Sequence, residues 1–297
     1  LRIKSICAFL FCGWFSQPCY AQYFTYNDSL GGKHKAILLN HKFKSPAVFR
    51  FAHFYKHADL NHVVFQNRAD FSNAVFDQSL DINHGQFGIK TTFENGRFMH
   101  DADFNNCNFS GSVSFKDAQF NFVADFNHCR FDSFTNFQGA IFLSKADFNN
   151  TYFPVTADFG HANFDSVVDF EHATFGKALL LNNLGKTPTG KALFAFNKAV
   201  LPDTIDFSGD SLICCKMDLL STNLDSNKVH YINLCGSNIS MLRMDYVHFR
   251  LFFPSQTDTK YIIGIYEDLL KNFRDLNDME SYQALESEYI NISPTLR

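Results

Sequence analysis

From Phe43 onward, large apolar residues recur at alternating intervals of six and five, and no interval breaks the alternation before Leu181. The series opens Phe43, Phe49, Phe54, Leu60, Phe65, Phe71, Phe76, Ile82 and Phe87, and closes Phe159, Phe164, Phe170, Phe175 and Leu181. Two residues before most of these stands a small residue, as at Ala52, Ala69, Ala74, Ala118, Ala124 and Ala146. The residue between them is polar, often Asp. Small-polar-large puts two side chains on one face of an extended segment and one on the other. A chain that turns after every such segment closes into a coil, and successive coils stack at about 4.8 Å, the spacing of neighbouring strands. The large residue fills the axis and the small one leaves room for it. The bias of 37 Phe against 1 Trp follows, because one residue type is filling one repeated position.

The unit is clearest at Ala102-Asp103-Phe104-Asn105-Asn106-Cys107-Asn108-Phe109. It resembles the pentapeptide-repeat family, whose consensus is a small residue, Asp or Asn, Leu or Phe, and two variable residues. The resemblance implies an all-β solenoid, a right-handed quadrilateral β-helix with four faces per coil. This chain departs from the consensus by a sixth residue in every second unit. That insertion predicts wider alternate corners and coils of about 22 residues. The sequence repeats accordingly at 22-residue steps: Asp59-Leu60-Asn61-His62, Asp81-Ile82-Asn83-His84, Asp103-Phe104-Asn105-Asn106, Asp125-Phe126-Asn127-His128, Asp147-Phe148-Asn149-Asn150 and Asp169-Phe170-Glu171-His172. The intervening units are less alike. Six coils would span roughly 29 Å.

Stacked in register, Asp59, Asp81, Asp103, Asp125, Asp147 and Asp169 form one vertical row. Asn61, Asn83, Asn105, Asn127 and Asn149 form a second, and His62, His84, His128 and His172 occupy the adjoining corner. Carboxylates about 5 Å apart repel, which raises some of their pKa values or recruits a cation. One reading is a linear interaction face for a protein, glycan or cation. The other is structural and needs no ligand: stacked Asn amides bond along the stack, and Asp and His tie down the corners.

No catalytic residues are expected, because every ladder Asp lies on a convex rod without an enclosed site. No cofactor or metal is expected either. Cys107, Cys129, Cys214, Cys215 and Cys235 make no CxxC pair, so zinc is disfavoured. Cys107 and Cys129 fall in the small inward position one coil apart, where in-register side chains rarely meet disulfide torsions. One disulfide among Cys214, Cys215 and Cys235 stays open. A formal charge of −4 excludes a strongly basic nucleic-acid binder.

Residues 1–21 read as a signal peptide: Arg2 and Lys4, an apolar run from Ile6 to Phe15, then Cys19-Tyr20-Ala21 before Gln22. Residues 22–42 read as a lead-in or cap, 43–181 as the regular coil, 182–190 as a loop and 191–253 as a degenerate continuation. Residues 254–297 read as a helical C-terminal segment, with helices expected from about Thr259 and from Met279 to Ile290 on either side of Asn277-Asp278. Those helices serve as a cap or as a surface for self-association. The chain is expected to be an exported scaffold (periplasmic, cell-surface or secreted) with an unidentified protein or glycan partner, no nucleic acid and no membrane-spanning segment after cleavage. Two other readings follow from relatives by shape: a DNA-mimicking inhibitor of a gyrase-type enzyme, which the signal segment disfavours, and a polysaccharide-active β-helix enzyme, which the uniform ladders disfavour.

Overall fold

The computed structural model describes residues 36–185, 192–209, 215–225 and 228–292, with the side chains of residues 215, 216 and 241 outside that description. The expected signal segment, the part of the expected lead-in before residue 36 and residues 186–190 of the expected loop lie outside the described residues. The rest is a parallel β-solenoid that ends in two helices. Most of its strands are only two or three residues long, such as Ala102–Asp103 and Ser112–Ser114. Each strand pairs with the strand one coil away. Two faces carry ten strands each, a third seven and a fourth six.

We number the faces in chain order. Face 1 begins with Ala36–Ile37 and holds the Asp row, face 2 begins with Lys42–Phe43, face 3 with Ala47–Val48 and face 4 with His53–Phe54. The register confirms the expected coil: Asp81 pairs with Asp103, Asp103 with Asp125 and Asp125 with Asp147. Ala36 already pairs with Ala58, so the coil runs ahead of Phe43 and the lead-in expected over 22–42 is shorter.

The interior is a lattice of rings. Phe104, Phe126 and Phe148 stack at 4.9 and 5.0 Å with nearly parallel planes, and Phe137 meets Phe148 edge-on at 5.3 Å. Rings prefer offset-stacked or edge-on contact to a face-to-face sandwich, and parallel planes with centroids this far apart are offset. Here the strand spacing imposes that stack along each face, and the edge-to-face contacts between faces complement it. Core volume is shared between slots: where the small position enlarges to Leu80 or Leu179, the following large position holds Ile82 or Leu181, and all four are buried.

Two of the four corners are tight. After Phe104 the chain reverses over Asn105 and Asn106, and the Cys107 N–H donates to the Phe104 carbonyl (3.1 Å). Asn106 has φ 58°, so the corner is a type II turn with its left-handed residue at the third position. The same geometry recurs every eleven residues, at His62, Asn73, His84, Asn95, His128, Asn150 and His172 among others. Asn, Asp and His are the non-glycine residues that tolerate this region best. Phe51 occupies such a corner too, with φ 59°, at a cost of about 1–3 kcal/mol. The sixth residue of alternate units sits in the other two corners, where Met99, His100 and Asp101 separate Phe98 from Ala102. Alternate corners are therefore wide, as expected.

Beyond residue 191, faces 1 and 3 continue while the strands of faces 2 and 4 end at Thr174–Phe175 and Asn163–Phe164. Coil length also loses its regularity: Val168 pairs with Phe194, Phe194 with Met217 and Met217 with Leu242. The continuation is degenerate, as its weaker pattern implies; Leu212 lies outside the described residues. Helix α1 (Thr259–Asp275) starts at Asp258, whose carboxylate accepts from the Lys260 N–H (2.8 Å), and α2 is Met279–Ile292. Ile265, Tyr266, Leu269, Phe273 and Leu285 are buried against the last coil. Glu288 receives the Tyr246 hydroxyl (3.0 Å) and the Tyr266 hydroxyl (2.7 Å) on its two oxygens. Burial, together with that carboxylate, pushes both phenols above their ordinary range. The helices thus cover the C-terminal end of the stack. Among the described residues no helix is long and apolar enough to cross a membrane.

Phe126 touches rings on three faces and in two neighbouring coils. Replacing it with Ala should cost about 3–5 kcal/mol in chemical denaturation, far more than the same change at the exposed Phe134.

Candidate functional site

The six carboxylates of the Asp row stack on face 1 at successive strand pairings. Each is half-buried, and one oxygen of most turns back to cap its own corner. The N–H groups of Asn61, Asn105, Asn127, Asn149 and Glu171 donate to Oδ1 of Asp59, Asp103, Asp125, Asp147 and Asp169 at 2.8–3.2 Å. These are Asx turns. Only Oδ2 remains for other partners.

Lys145 supplies one such partner. Its ammonium bridges Asp147 Oδ2 (2.8 Å) and Asp169 Oδ2 (3.1 Å). Burial works against that charge, but the bonds to the two carboxylates outweigh it and hold the Lys145 pKa above its usual value. Lys145 stands two residues before Asp147, and that same-strand spacing was the only signal available for it in the sequence. Lower down, Asn83 Nδ2 donates to Asp103 Oδ2 (2.7 Å), and His57 Nε2 lies 3.5 Å from Asp81 Oδ2. Asp125 sits mid-row. Burial raises its pKa, the N–H of Asn127 opposes the rise, and the flanking Asp103 and Asp147 add to it.

The Asn row is not a continuous amide ladder. Asn61 Oδ1 accepts from the Asn83 N–H (2.8 Å), while Asn105 and Asn149 accept from their neighbours Asn106 and Asn150 (2.5 Å each). Asn127 Oδ1 is buried with no hydrogen-bond partner among the described residues. At the corner, His62 and His84 stack at 4.9 Å, whereas His128 and His172 alternate with Asn106 and Asn150. The left-handed backbone accounts for the choice of His or Asn there. The structure therefore brings the Asp and Asn rows together and places the histidines at their edge.

Face 3 carries a carboxylate that sequence inspection did not single out. Asp70, with its side chain 2% exposed, binds Arg50 (2.8 Å) and Arg68 (2.9 Å) through Oδ2, and the Ser72 N–H through Oδ1 (3.1 Å). Burial opposes its charge, but the Ser72 and Arg50 bonds prevail and hold its pKa below the ordinary carboxylate value. Cys107 and Cys129 are buried, free thiols. Each donates to a carbonyl of the preceding coil, at Ile82 and Phe104 (3.0 Å each), and burial pushes the Cys129 thiol well up. The Cys235 thiol lies 3.9 Å from the Thr257 hydroxyl; Cys214 and the Cys215 side chain lie outside the described residues. Among the described residues no three His, Cys, Asp or Glu side chains converge as they would around a metal ion.

Three overlapping stretches, residues 90–141, 104–151 and 126–174, each match the model of a family described as pentapeptide repeats (9 copies). Residues 90–174 are thus pentapeptide repeats. No curated protein and no solved structure matches the chain. As in the family consensus, the acidic slot of the repeat precedes the large residue, and in these repeats that slot caps the corner that follows.

Asp125 and Asp70 occupy equivalent slots on opposite faces and should answer substitution with opposite signs. A raised folded pKa means that ionisation of Asp125 weakens the fold. Asp125→Asn should therefore raise Tm at neutral pH, and the gain should disappear as pH falls below the ordinary carboxylate value. A lowered folded pKa means that ionised Asp70 stabilises. Asp70→Asn should cost about 2–3 kcal/mol at neutral pH, with the loss fading as pH falls through the depressed value. Thermal melts of both variants across pH 2–8 (an approximate working window) check the pair.

Proposed function

We propose that this pentapeptide-repeat protein is a non-enzymatic, exported scaffold whose face 1 binds a cationic segment of a partner protein. The observation that carries this reading is Lys145. One ammonium spans two carboxylates at consecutive rungs, so the row of Oδ2 atoms has the spacing to hold cationic side chains laid along it. The middle of the row offers carboxylates without an internal ammonium: Asp103, whose Oδ2 accepts only from the neutral Asn83 amide, and Asp125 with its raised pKa. A Lys or Arg side chain arriving there would relieve the repulsion that raises Asp125. Charge-assisted bonds of this kind are the strong ones, and Arg adds bidentate geometry.

A rod suits such a role. Its coils are braced by side-chain caps and a continuous aromatic core, so an extended partner meets a surface that is already ordered and costs little further entropy on binding. Catalysis is disfavoured by the setting of a triad-like contact among the described residues. His57 Nδ1 hydrogen-bonds Ser79 Oγ (2.7 Å) while its Nε2 faces Asp81, but this group lies half-exposed on a convex corner, where bulk water screens the charge that an oxyanion site must stabilise. The apolar run near the N-terminus supports export, since ten apolar residues suit a signal segment better than a membrane span.

Asp103→Asn with Asp125→Asn keeps the corner-capping oxygens and removes two charges. In a pull-down, with and without divalent cation, the double variant should lose at least tenfold of the captured partner, about 1.4 kcal/mol, while its melting temperature holds or rises. Undiminished capture would refute the ladder as the binding face.

A further inference from the structure

The first coil differs in charge from the rest of the rod. Between Ala36 and Ala58 the chain has Lys42, Lys44, Arg50 and Lys56 and no Asp or Glu, although the whole chain carries −4. The structure distributes these cations around the end. Lys42 lies on face 2, Lys44 at the following wide corner, Arg50 at the tight corner after face 3, and Lys56 at the wide corner before face 1. Arg50 is engaged by Asp70 of the next coil. Among the described residues Lys42, Lys44 and Lys56 make no ion pair and are exposed.

Apolar side chains are exposed on the same coil. Ile37, Leu39 and Tyr55 are exposed, and Phe51, at 70%, is the most exposed large hydrophobic residue of the described chain. Phe51 is anomalous for a second and independent reason. It occupies the left-handed corner that the regular coils give to Asn, His, Asp or Gly. A bulky residue there is a genuine conformational outlier, and outliers of this kind cluster at functional positions. Neither packing nor backbone preference accounts for an exposed aromatic ring at that corner.

We infer that the N-terminal end of the rod docks on an anionic lipid surface, with Phe51 and Ile37 entering the interface and the lysines facing phosphate headgroups. Charge complementarity favours lipid over a second copy, whose corresponding end would be equally cationic. Aromatic and aliphatic side chains flanked by Lys and Arg are the pairing that headgroup interfaces hold. The rod would then stand away from the membrane, with the Asp row running along its length. Ile37 is the rung of face 1 next to Asp59, but the lysines, Phe51 and the mid-row Asp103 and Asp125 are not shared, so either assignment can fail alone.

Flotation with vesicles tests the inference, using the chain from Gln22 onward so that lipid binding by the Ile6–Phe15 run is not read as binding by the coil. Vesicles of phosphatidylcholine mixed with phosphatidylglycerol should carry the protein upward, and phosphatidylcholine alone should not. Lys42→Gln, Lys44→Gln and Lys56→Gln together should lower the partition coefficient roughly a hundredfold, at about fivefold for each basic residue. Phe51→Asn should lower it several-fold while raising Tm, because the corner loses its strain. Equal flotation with both vesicle types, or wild-type partitioning by the two variants with unchanged circular dichroism, would overturn the inference. So would a wild-type dimer in light scattering that both variants abolish without any phosphatidylglycerol-dependent flotation, since the end face would then serve a second copy.

Discussion

The hydrogen bonds between coils set a single length, about 4.8 Å, and the other features of the rod accommodate it. Rings stack nearly parallel and offset along each face because their backbones are held at that rise. The edge-to-face arrangement survives only across faces, where the rise does not dictate distance. The same length brings six carboxylates into one row and leaves Asp125 between two neighbours of its own charge. Lys145 fits the row because two rungs lie within reach of one ammonium. Core packing and surface electrostatics thus share a common cause in the backbone.

The period was legible in the sequence because one slot in each unit accepts almost nothing but Phe. The sixth residue was legible for the same reason, and the coil of about 22 residues followed from the four faces that the family resemblance implies and from the likeness of units 22 residues apart. Beyond Leu181 the large slot passes among Phe, Leu and Met, strands disappear from two faces, and the spacing between paired residues changes from coil to coil. Pattern alone therefore showed a continuation without fixing its register. The helices after Pro254 were plain from their amphipathic spacing. The site was harder to read. The vertical rows follow from the period, and a corner-tying role for Asp and His was one of the two readings they allowed, but the reach of Lys145 and the double arginine clasp on Asp70 depend on side-chain direction. The histidines show how the pattern alone left both readings open: in the fold each fills a corner whose backbone few other residues tolerate.

The two ends of the rod contrast in chemistry. At the C-terminal end α1 and α2 close the stack, and buried Tyr246 and Tyr266 converge on one carboxylate of α2. That arrangement combines apolar burial with a satisfied polar network, which favours a single docked position over sliding. At the other end the first coil carries cations and exposed hydrophobic side chains. A solenoid needs its terminal coils covered or made soluble, and here one terminus is covered by the chain's own helices.

The corner caps bear on how such a surface can change. On face 3 the slot equivalent to the Asp row holds Asp70, Thr92, Ser114, Asn136 and Asp158, and in each case its side-chain oxygen accepts from the N–H two residues on. Four residue types therefore perform the same mechanical task with different charge, size and hydrogen-bonding capacity. Along face 1 the slot is uniformly Asp for six coils although the fold would accept any of the four. Substitution within that set can rewrite the electrostatic text of a face rung by rung while the rod beneath keeps its shape, so opposite faces of one solenoid are free to diverge toward different partners.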